Sequence, residues 1–197
     1  MSENYYKAKN DELNKEQKYS LSKEEENKLS KFLLEKCGFK QIIPTRDSII
    51  TQAKEKNLIL PDLMGIHKNR IEYFIELKSK NRRLFFNDNG IDLDKAEMYL
   101  IVEKEFNKKV LLVFIDDENE WKEKYPNIHS WFKDENCKCT YYGNWIDKLY
   151  EETPQNPITI TKDKYETKII CFPLNNMKRI DYIFKERQTK LNFKVIE

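Results

Sequence analysis

The segment from residue 71 to residue 78 constrains the fold more than any other part of this 197-residue chain. Apolar side chains recur at every second position, which is the period of a strand with one face in a core. The apolar face holds Ile71, Tyr73, Ile75 and Leu77, and the other face holds Glu72, Phe74, Glu76 and Lys78. We therefore predict a strand here, with Glu76 and Lys78 side by side at its end.

The neighbouring patterns predict helices and strands around this segment. Ser22 is a good N-cap and Gly38 a good C-terminal glycine, so we predict a helix over 22–37. Further strands are predicted over 39–44, 58–66 and 110–115, and a further helix over 94–107. This order predicts an α/β fold in which helices flank a mixed central β-sheet.

The chain after residue 116 has a different, more irregular character. An aromatic stretch over 127–150 is predicted to be irregular. We predict strands over 158–161, 168–172 and 190–196, and a short helix over 175–186. The chain thus divides into a flexible or helical arm (1–20), a core (21–116) and a C-terminal α+β extension packed on that core (117–197).

Composition and missing motifs exclude several classes of protein. Basic and acidic residues, 36 against 34, leave a net charge of +2, so a nucleic-acid site would be a local patch. No apolar run reaches the ~18 residues of a transmembrane helix, and no secretory signal opens the chain. We therefore expect a cytoplasmic protein without membrane contact. With four glycines and neither GxxxxGK[ST] nor GxGxxG, P-loop and dinucleotide sites have no support.

Pro61-Asp62 precedes the alternating strand and supplies a second carboxylate. A three-residue loop over 68–70 would pair residues whose numbers sum to 138, so that Asp62 opposes Glu76. Opposed residues share a face, with Cβ atoms about 5 Å apart, whereas a loop one residue shorter would shift the register. Two carboxylates repel at that distance unless a cation lies between them, and Mg²⁺ prefers oxygen ligands.

Pro61-Asp62 followed by Glu76-Leu77-Lys78 resembles the signature of the PD-(D/E)xK nuclease superfamily. The order of first helix, Gly38-Phe39 and these motifs is most similar to that of Holliday-junction-resolvase-like members. The resemblance covers roughly residues 21–116 and implies a restriction-endonuclease-like core. Glu-x-Lys triplets recur in this chain, so the Pro-Asp pair and the strand placement carry the resemblance.

The resemblance implies a Mg²⁺-dependent nuclease, with Mn²⁺ as a substitute, that hydrolyses phosphodiester bonds. We expect an endonuclease that acts on DNA, with RNA as the alternative substrate. Asp62 and Glu76 would bind the metal through their carboxylates, and Leu77 through its backbone carbonyl. Lys78 would align or deprotonate the attacking water and stabilise the developing charge.

The resemblance also implies residues outside the two motifs. Many members add a catalytic glutamate from the first helix, and Glu26 is the candidate here, with Glu25 as its alternative. Lys80, Arg82 and Arg83 directly follow the motif and would bind phosphates of the nucleic acid. Many such nucleases pair two active sites to cut two strands. A homodimer is therefore one oligomeric state that the resemblance implies.

Two other interpretations stay open. The same fold without catalysis would be a module that binds nucleic acid or a protein through the basic surface of residues 66–85 and the C-terminal region. An unrelated interpretation is a zinc-stabilised interaction protein, although Cys-x-Cys is not the usual zinc spacing and separate thiols are the simpler reading. Its ligands would be His129, Cys137, Cys139 and Cys171.

Overall fold

The computed structural model describes residues 15–47, 50–67, 70–78, 88–117, 139–153, 156–162 and 165–185. The first elements are α1 (Lys15–Lys36), β1 (Gln41–Pro44), α2 (Thr51–Glu55), β2 (Leu63–His67) and β3 (Arg70–Lys78). The next are β4 (Asp88–Asp92), α3 (Leu93–Phe106), β5 (Lys109–Asp117), β6 (Cys139–Trp145) and α4 (Ile146–Glu152). The last are β7 (Ile158–Lys162), β8 (Tyr165–Pro173), β9 (Lys178–Arg179) and a helix, α5, over 180–185.

Six strands form a central sheet in the order β1-β2-β3-β5-β6-β9. Neighbours are antiparallel except β3 and β5, which are parallel and are connected through β4 and α3. This mixed sheet with flanking helices confirms the predicted α/β class. Strands β6 and β9, from the predicted C-terminal extension, belong to the same sheet, and β4, β8 and β7 form a second, antiparallel sheet.

The central sheet separates two hydrophobic clusters. Side chains that alternate along β5 divide between them, since Val110 and Leu112 pack with α3 whereas Leu111 and Val113 pack with α1. The side chains of β3 also alternate between the two clusters, and Phe74 belongs to the cluster on the α3 side. Because side chains two apart share a face, the carboxylate after Phe74 on that face is also directed toward α3.

The first helix is longer than predicted. It begins at Lys15 rather than after Ser22. Glu16, Gln17 and Lys18, which precede Ser22, are good helix formers and extend the helix toward the N-terminus. Ser22 is therefore inside the helix rather than its N-cap, and its hydroxyl lies 3.5 Å from a carboxylate oxygen of the next turn. The predicted C-terminal glycine is confirmed, with Gly38 at a φ of 75°.

Other predicted boundaries also needed correction. The second strand begins at Leu63 rather than at Leu58, whose N–H instead closes the turn after α2 by donating to the Ala53 carbonyl. Strand β4 lies in the predicted loop 79–92, and β6 and α4 lie in the segment predicted to be irregular. The predicted strand 190–196 lies outside the described residues.

The predicted helix over 175–186 is divided into smaller elements. A 3₁₀ turn, Leu174–Asn176, is followed by β9, and only α5 continues as a helix. Among the described helices, none is long and apolar enough to cross a membrane.

Candidate metal site

The β2–β3 hairpin, which carries the predicted site, is one residue tighter at its turn than predicted. His67 pairs with Arg70, so the predicted three-residue loop 68–70 is wrong. Alone, this change would shift the register by one residue and reverse which side chains share a face. A β-bulge between Gly65 and Ile66 takes up the difference.

Beyond the bulge, the hairpin has the predicted register. Leu63, the first residue of β2, pairs with Ile75, and the same register extended by one residue places Asp62 opposite Glu76. The Leu77 N–H donates a hydrogen bond to Asp62 Oδ2 over 2.9 Å, which joins the two predicted motifs directly. The N–H and C=O of a strand residue point to the same side, so the carbonyl of Leu77 faces this region as well.

The backbone around Asp62 is held by the end of β1. The Thr45 N–H donates to the Asp62 carbonyl over 2.9 Å, and the Thr45 hydroxyl donates to the Pro61 carbonyl. These bonds fix the segment that enters β2 although Pro61 supplies no donor of its own. The carboxyl group of Asp62 therefore projects from a fixed backbone.

Glu76 is buried on β3 and has a cation beside it. The side chain of Glu76 is only 3% exposed, and the ammonium of Lys78 forms an ion pair with its Oε1. Tyr99 of α3 is buried and interacts electrostatically with the same carboxylate. Burial and this contact with Glu76 raise the pKa of the Tyr99 hydroxyl, which keeps it a donor.

Electrostatic repulsion shapes the titration of the site. Burial and the charge of Glu76 raise the pKa of Asp62 to about 7, despite the opposing effects of the Leu77 N–H and Lys78. Burial alone would lower the pKa of Lys78, but its contacts with Glu76 and the charges of Asp62 and Asp92 outweigh burial, so this pKa is raised. At neutral pH Lys78 is therefore charged, and Asp62 is present in both its protonated and its charged form.

Glu26, predicted to join the catalytic set, is buried on α1 and paired with Arg46. The two Arg46 terminal nitrogens lie 3.0 Å from Glu26 Oε1 and 2.7 Å from Oε2. The negative charge of Glu26 adds to the rise in the pKa of Asp62, so the two groups are close enough to interact. The structure thus brings Asp62, Glu76 and Lys78 together and places Glu26 nearby with its own cation. Its alternative, Glu25, is only partly buried.

Sequence reasoning missed three residues that shape the site. Arg46 and Tyr99 contact its carboxylates, and Thr45 fixes the backbone of Asp62. No local motif marks Arg46 or Tyr99, since each reaches its carboxylate through long-range packing. The position of Thr45 directly after β1 was a usable signal, because short polar side chains often bond to nearby backbone at strand ends.

The donor set suits a hard cation that keeps much of its water. In the described ranges, no group of three or more His, Cys, Asp or Glu side chains is arranged to hold a metal ion. Mg²⁺, however, is commonly bound through one or two carboxylates, with waters and substrate phosphates completing its shell. Asp62 and Glu76 match that pattern because burial and the charge of Glu76 disfavour the charged form of Asp62, and a cation would relieve the repulsion between them.

Several predicted residues cannot be placed. Lys80, Arg82 and Arg83 lie in the segment 79–87, outside the described residues. His129 and Cys137 of the zinc interpretation also lie outside them. The two remaining cysteines belong to different sheets, Cys139 to β6 and Cys171 to β8.

Comparison of the chain with protein-family models, with curated proteins and with solved structures finds no match. Its function is therefore inferred from the geometry and electrostatics of Asp62, Glu76, Lys78 and their surroundings.

Proposed function

We propose that this chain is a Mg²⁺-dependent nuclease that hydrolyses phosphodiester bonds in DNA, in the cytoplasm. The observation that carries the proposal is the opposition of Asp62 and Glu76 across the β2–β3 hairpin, with Lys78 beside them. The raised pKa of Asp62 supports it, because that carboxyl is destabilised in the absence of a cation. The mixed sheet between α1 and α3 is compatible with a restriction-endonuclease-like core, which we propose as the fold.

Each residue has a distinct part in this proposal. Asp62, Glu76 and the Leu77 carbonyl would hold Mg²⁺, which neutralises the carboxylates and polarises a phosphoryl oxygen of the substrate. The Lys78 ammonium, held by Glu76 Oε1, donates hydrogen bonds to the attacking water or to the developing negative charge. The Leu77 N–H keeps the Asp62 carboxylate oriented.

A cleavage assay tests this function. Wild type, Asp62→Asn and Lys78→Met are incubated with linear, circular, single-stranded and branched DNA in Mg²⁺, Mn²⁺ or EDTA. Matched controls are Asp94→Asn and Lys104→Met, which alter exposed residues of α3. We expect metal-dependent cutting by wild type and both controls, and a loss of at least about 100-fold in the two site variants. Full activity of Lys78→Met would contradict the assignment of Asp62, Glu76 and Lys78 as the active site.

The runner-up is a module of the same fold that binds nucleic acid or a protein without catalysis. One observation favours it: the buried carboxylates of Glu26 and Glu76 already have cations, Arg46 and Lys78. Such a site has less need of a metal. The module predicts no cleavage in any divalent metal, binding unaffected by EDTA, and no rise in Tm on adding Mg²⁺.

A homodimer is part of the proposal only if both strands of a duplex are cut. Two copies would then place one site against each strand. Sedimentation of the protein with and without duplex DNA measures this, and a monomer in both conditions restricts the enzyme to one strand at a time.

A further inference from the structure

An open cleft of about 570 Å³ lies directly beside Asp62, between α2 and the ends of β1 and β2. Its walls combine two kinds of side chain, cationic or amide groups and aliphatic groups. The first are Arg46, Lys54 and Asn57, and the second include Ile50, Leu58 and Leu60. Its volume is in the range of small-ligand sites, about 300–1,000 Å³.

We propose that this cleft binds one unpaired nucleotide of the DNA strand next to the bond that is cut. The inference rests on the proposed nuclease function, because Asp62 is both a wall of the cleft and a proposed metal ligand. It narrows the substrate class to DNA that is single-stranded, branched or locally unpaired at the site of cleavage.

The aliphatic wall provides the reason for an unpaired base. Ile50, Leu58 and Leu60 are each partly buried and present apolar surface to the cleft. The flat face of a nucleobase gains free energy when it leaves water for such a surface. Bases within a duplex are already stacked and paired, so only an unstacked base can enter a pocket of this kind.

Two basic side chains that line the cleft suit the phosphate of the same nucleotide. Lys54 extends from α2, and Arg46, which follows β1, lines the cleft while its terminal nitrogens pair with Glu26. Asp62 and Glu76 would repel a phosphate, and bound Mg²⁺ would remove that repulsion. The nucleotide is therefore expected to bind better with Mg²⁺ than in EDTA.

Asn57 supplies groups that can contact the edge of a base. Its backbone has a φ of 52°, and the bonds that close α2 hold it there, with its N–H donating to the Lys54 carbonyl over 3.2 Å. Its exposed amide both donates and accepts, the pattern that matches adenine.

Two small ligands test this proposal without requiring any cleavage. The ligands are deoxyadenosine 5′-monophosphate and 2-deoxyribose 5-phosphate, titrated into the full chain in Mg²⁺ and followed by ¹⁵N–¹H NMR. They share the sugar and the phosphate and differ only in the base. We expect the nucleotide to bind at least about fivefold more tightly and to shift the amide signals of Ala53, Asn57 and Leu58.

The variant Asn57→Gly removes the amide and retains the left-handed backbone, so folding is preserved. Its matched control is Asn107→Gly, because Asn107 has a φ of 50° at the end of α3 and does not line the cleft. We expect Asn57→Gly to weaken nucleotide binding about three- to tenfold and to leave 2-deoxyribose 5-phosphate unaffected. Asn107→Gly is expected to change neither.

Equal affinity for the two ligands, no binding of either, or equal behaviour of the two variants overturns the proposal. These results are separable from the cleavage assay. Metal-dependent cutting with no base-dependent binding leaves the nuclease and removes the nucleotide cleft. Base-dependent binding without cutting keeps the cleft and favours the non-catalytic module.

Discussion

At the scale of single residues, the charged form of Asp62 opposes folding. Asp62 has its pKa raised from 3.8 to about 7 by burial and by Glu76. Between these two values the native state holds a proton that the unfolded state has lost. The free energy of unfolding therefore falls as pH rises from about 4 to 7, and the whole cost is present above pH 7.

The variant Asp62→Asn should consequently be more stable than wild type at high pH. A shift of this size corresponds to about 1–4 kcal/mol in the free energy of unfolding, because each pKa unit is ~1.4 kcal/mol. Urea unfolding in EDTA at pH 4.5 and pH 8 measures it. We expect similar stabilities at the lower pH and a more stable variant at the higher one.

Addition of Mg²⁺ at pH 8 gives the complementary result. It should stabilise wild type and leave Asp62→Asn nearly unchanged, since the variant has lost one of the two carboxylates. If Asp62→Asn is the less stable protein at pH 8 in EDTA, neither the burial of the Asp62 carboxylate nor its repulsion by Glu76 lowers the stability of the fold.

Arg46 should stabilise the fold through its ion pair with the Glu26 carboxylate. Arg46→Met leaves the buried Glu26 without its cation, and we expect a loss of about 1–3 kcal/mol in the free energy of unfolding, because Arg46 itself is partly exposed. The double variant Glu26→Gln, Arg46→Met should recover most of that loss. Additive losses in this double-mutant cycle would show that the two residues act independently.

The proximity of Glu76 and Lys78 was predictable because residues two apart on a strand share a face, whereas the position of Asp62 depended on the register of the hairpin. The contacts of Arg46 and Tyr99 were not predictable, because they join the turn after β1 to α1 and α3 to β3. Such contacts depend on how the helices pack on the sheet, and this packing cannot be deduced from the spacing of residues along the chain.

At the scale of elements, the β2–β3 hairpin reached the predicted register by a different route. The turn is one residue shorter than predicted, and the bulge between Gly65 and Ile66 compensates. The sequence does not reveal such a bulge, since a register shift requires knowledge of the partner strand. The alternating strand Arg70–Lys78 was predictable because its pattern is local.

Gly65, next to the bulge, has no room for a side chain. A Cβ there would lie 2.4 Å from Cε1 of Phe39. We expect Gly65→Ala to lower the free energy of unfolding by about 1–3 kcal/mol, and Phe39→Leu to restore part of it when added. Thermal unfolding of the two single variants and the double variant measures this coupling.

Gly143 of β6 provides the contrast. Its Cβ would lie 1.8 Å from the Leu112 carbonyl oxygen, which is backbone and cannot turn aside. Gly143→Ala should therefore cost more than Gly65→Ala, with no rescue by changing a neighbouring side chain. Equal costs would mean that β6 can move away from β5.

Strands β4 and β6 were not predicted, because their formation also depends on partner strands that are distant in the sequence. Both contain Gly and Asn, which are poor strand formers, within Asp88–Asp92 and Cys139–Trp145. Their pairing with β8 and β5 outweighs this local preference. A prediction from one sequence has no access to those partners.

At the scale of the whole molecule, the C-terminal region completes the sheet that carries the site. Strand β6 covers the edge of β5 that faces away from β3, and β8 pairs with β4. Removal of these strands would expose the edge of β5, whose residues 110–114 are fully buried. An exposed apolar edge is a site of aggregation rather than a stable boundary.

A chain that ends at residue 117 should therefore fail to fold, although it contains Asp62, Glu76 and Lys78. We expect it to show no cooperative urea transition and to bind a hydrophobic dye, whereas the full chain should unfold in one transition. Circular dichroism and tryptophan fluorescence should give the same midpoint for the full chain, since Trp145 on β6 packs against Tyr73 on β3. A cooperative transition in the shortened chain would establish that the segment carrying the site folds without β6 and β8. In that case its cleavage activity could be assayed on the shortened chain alone.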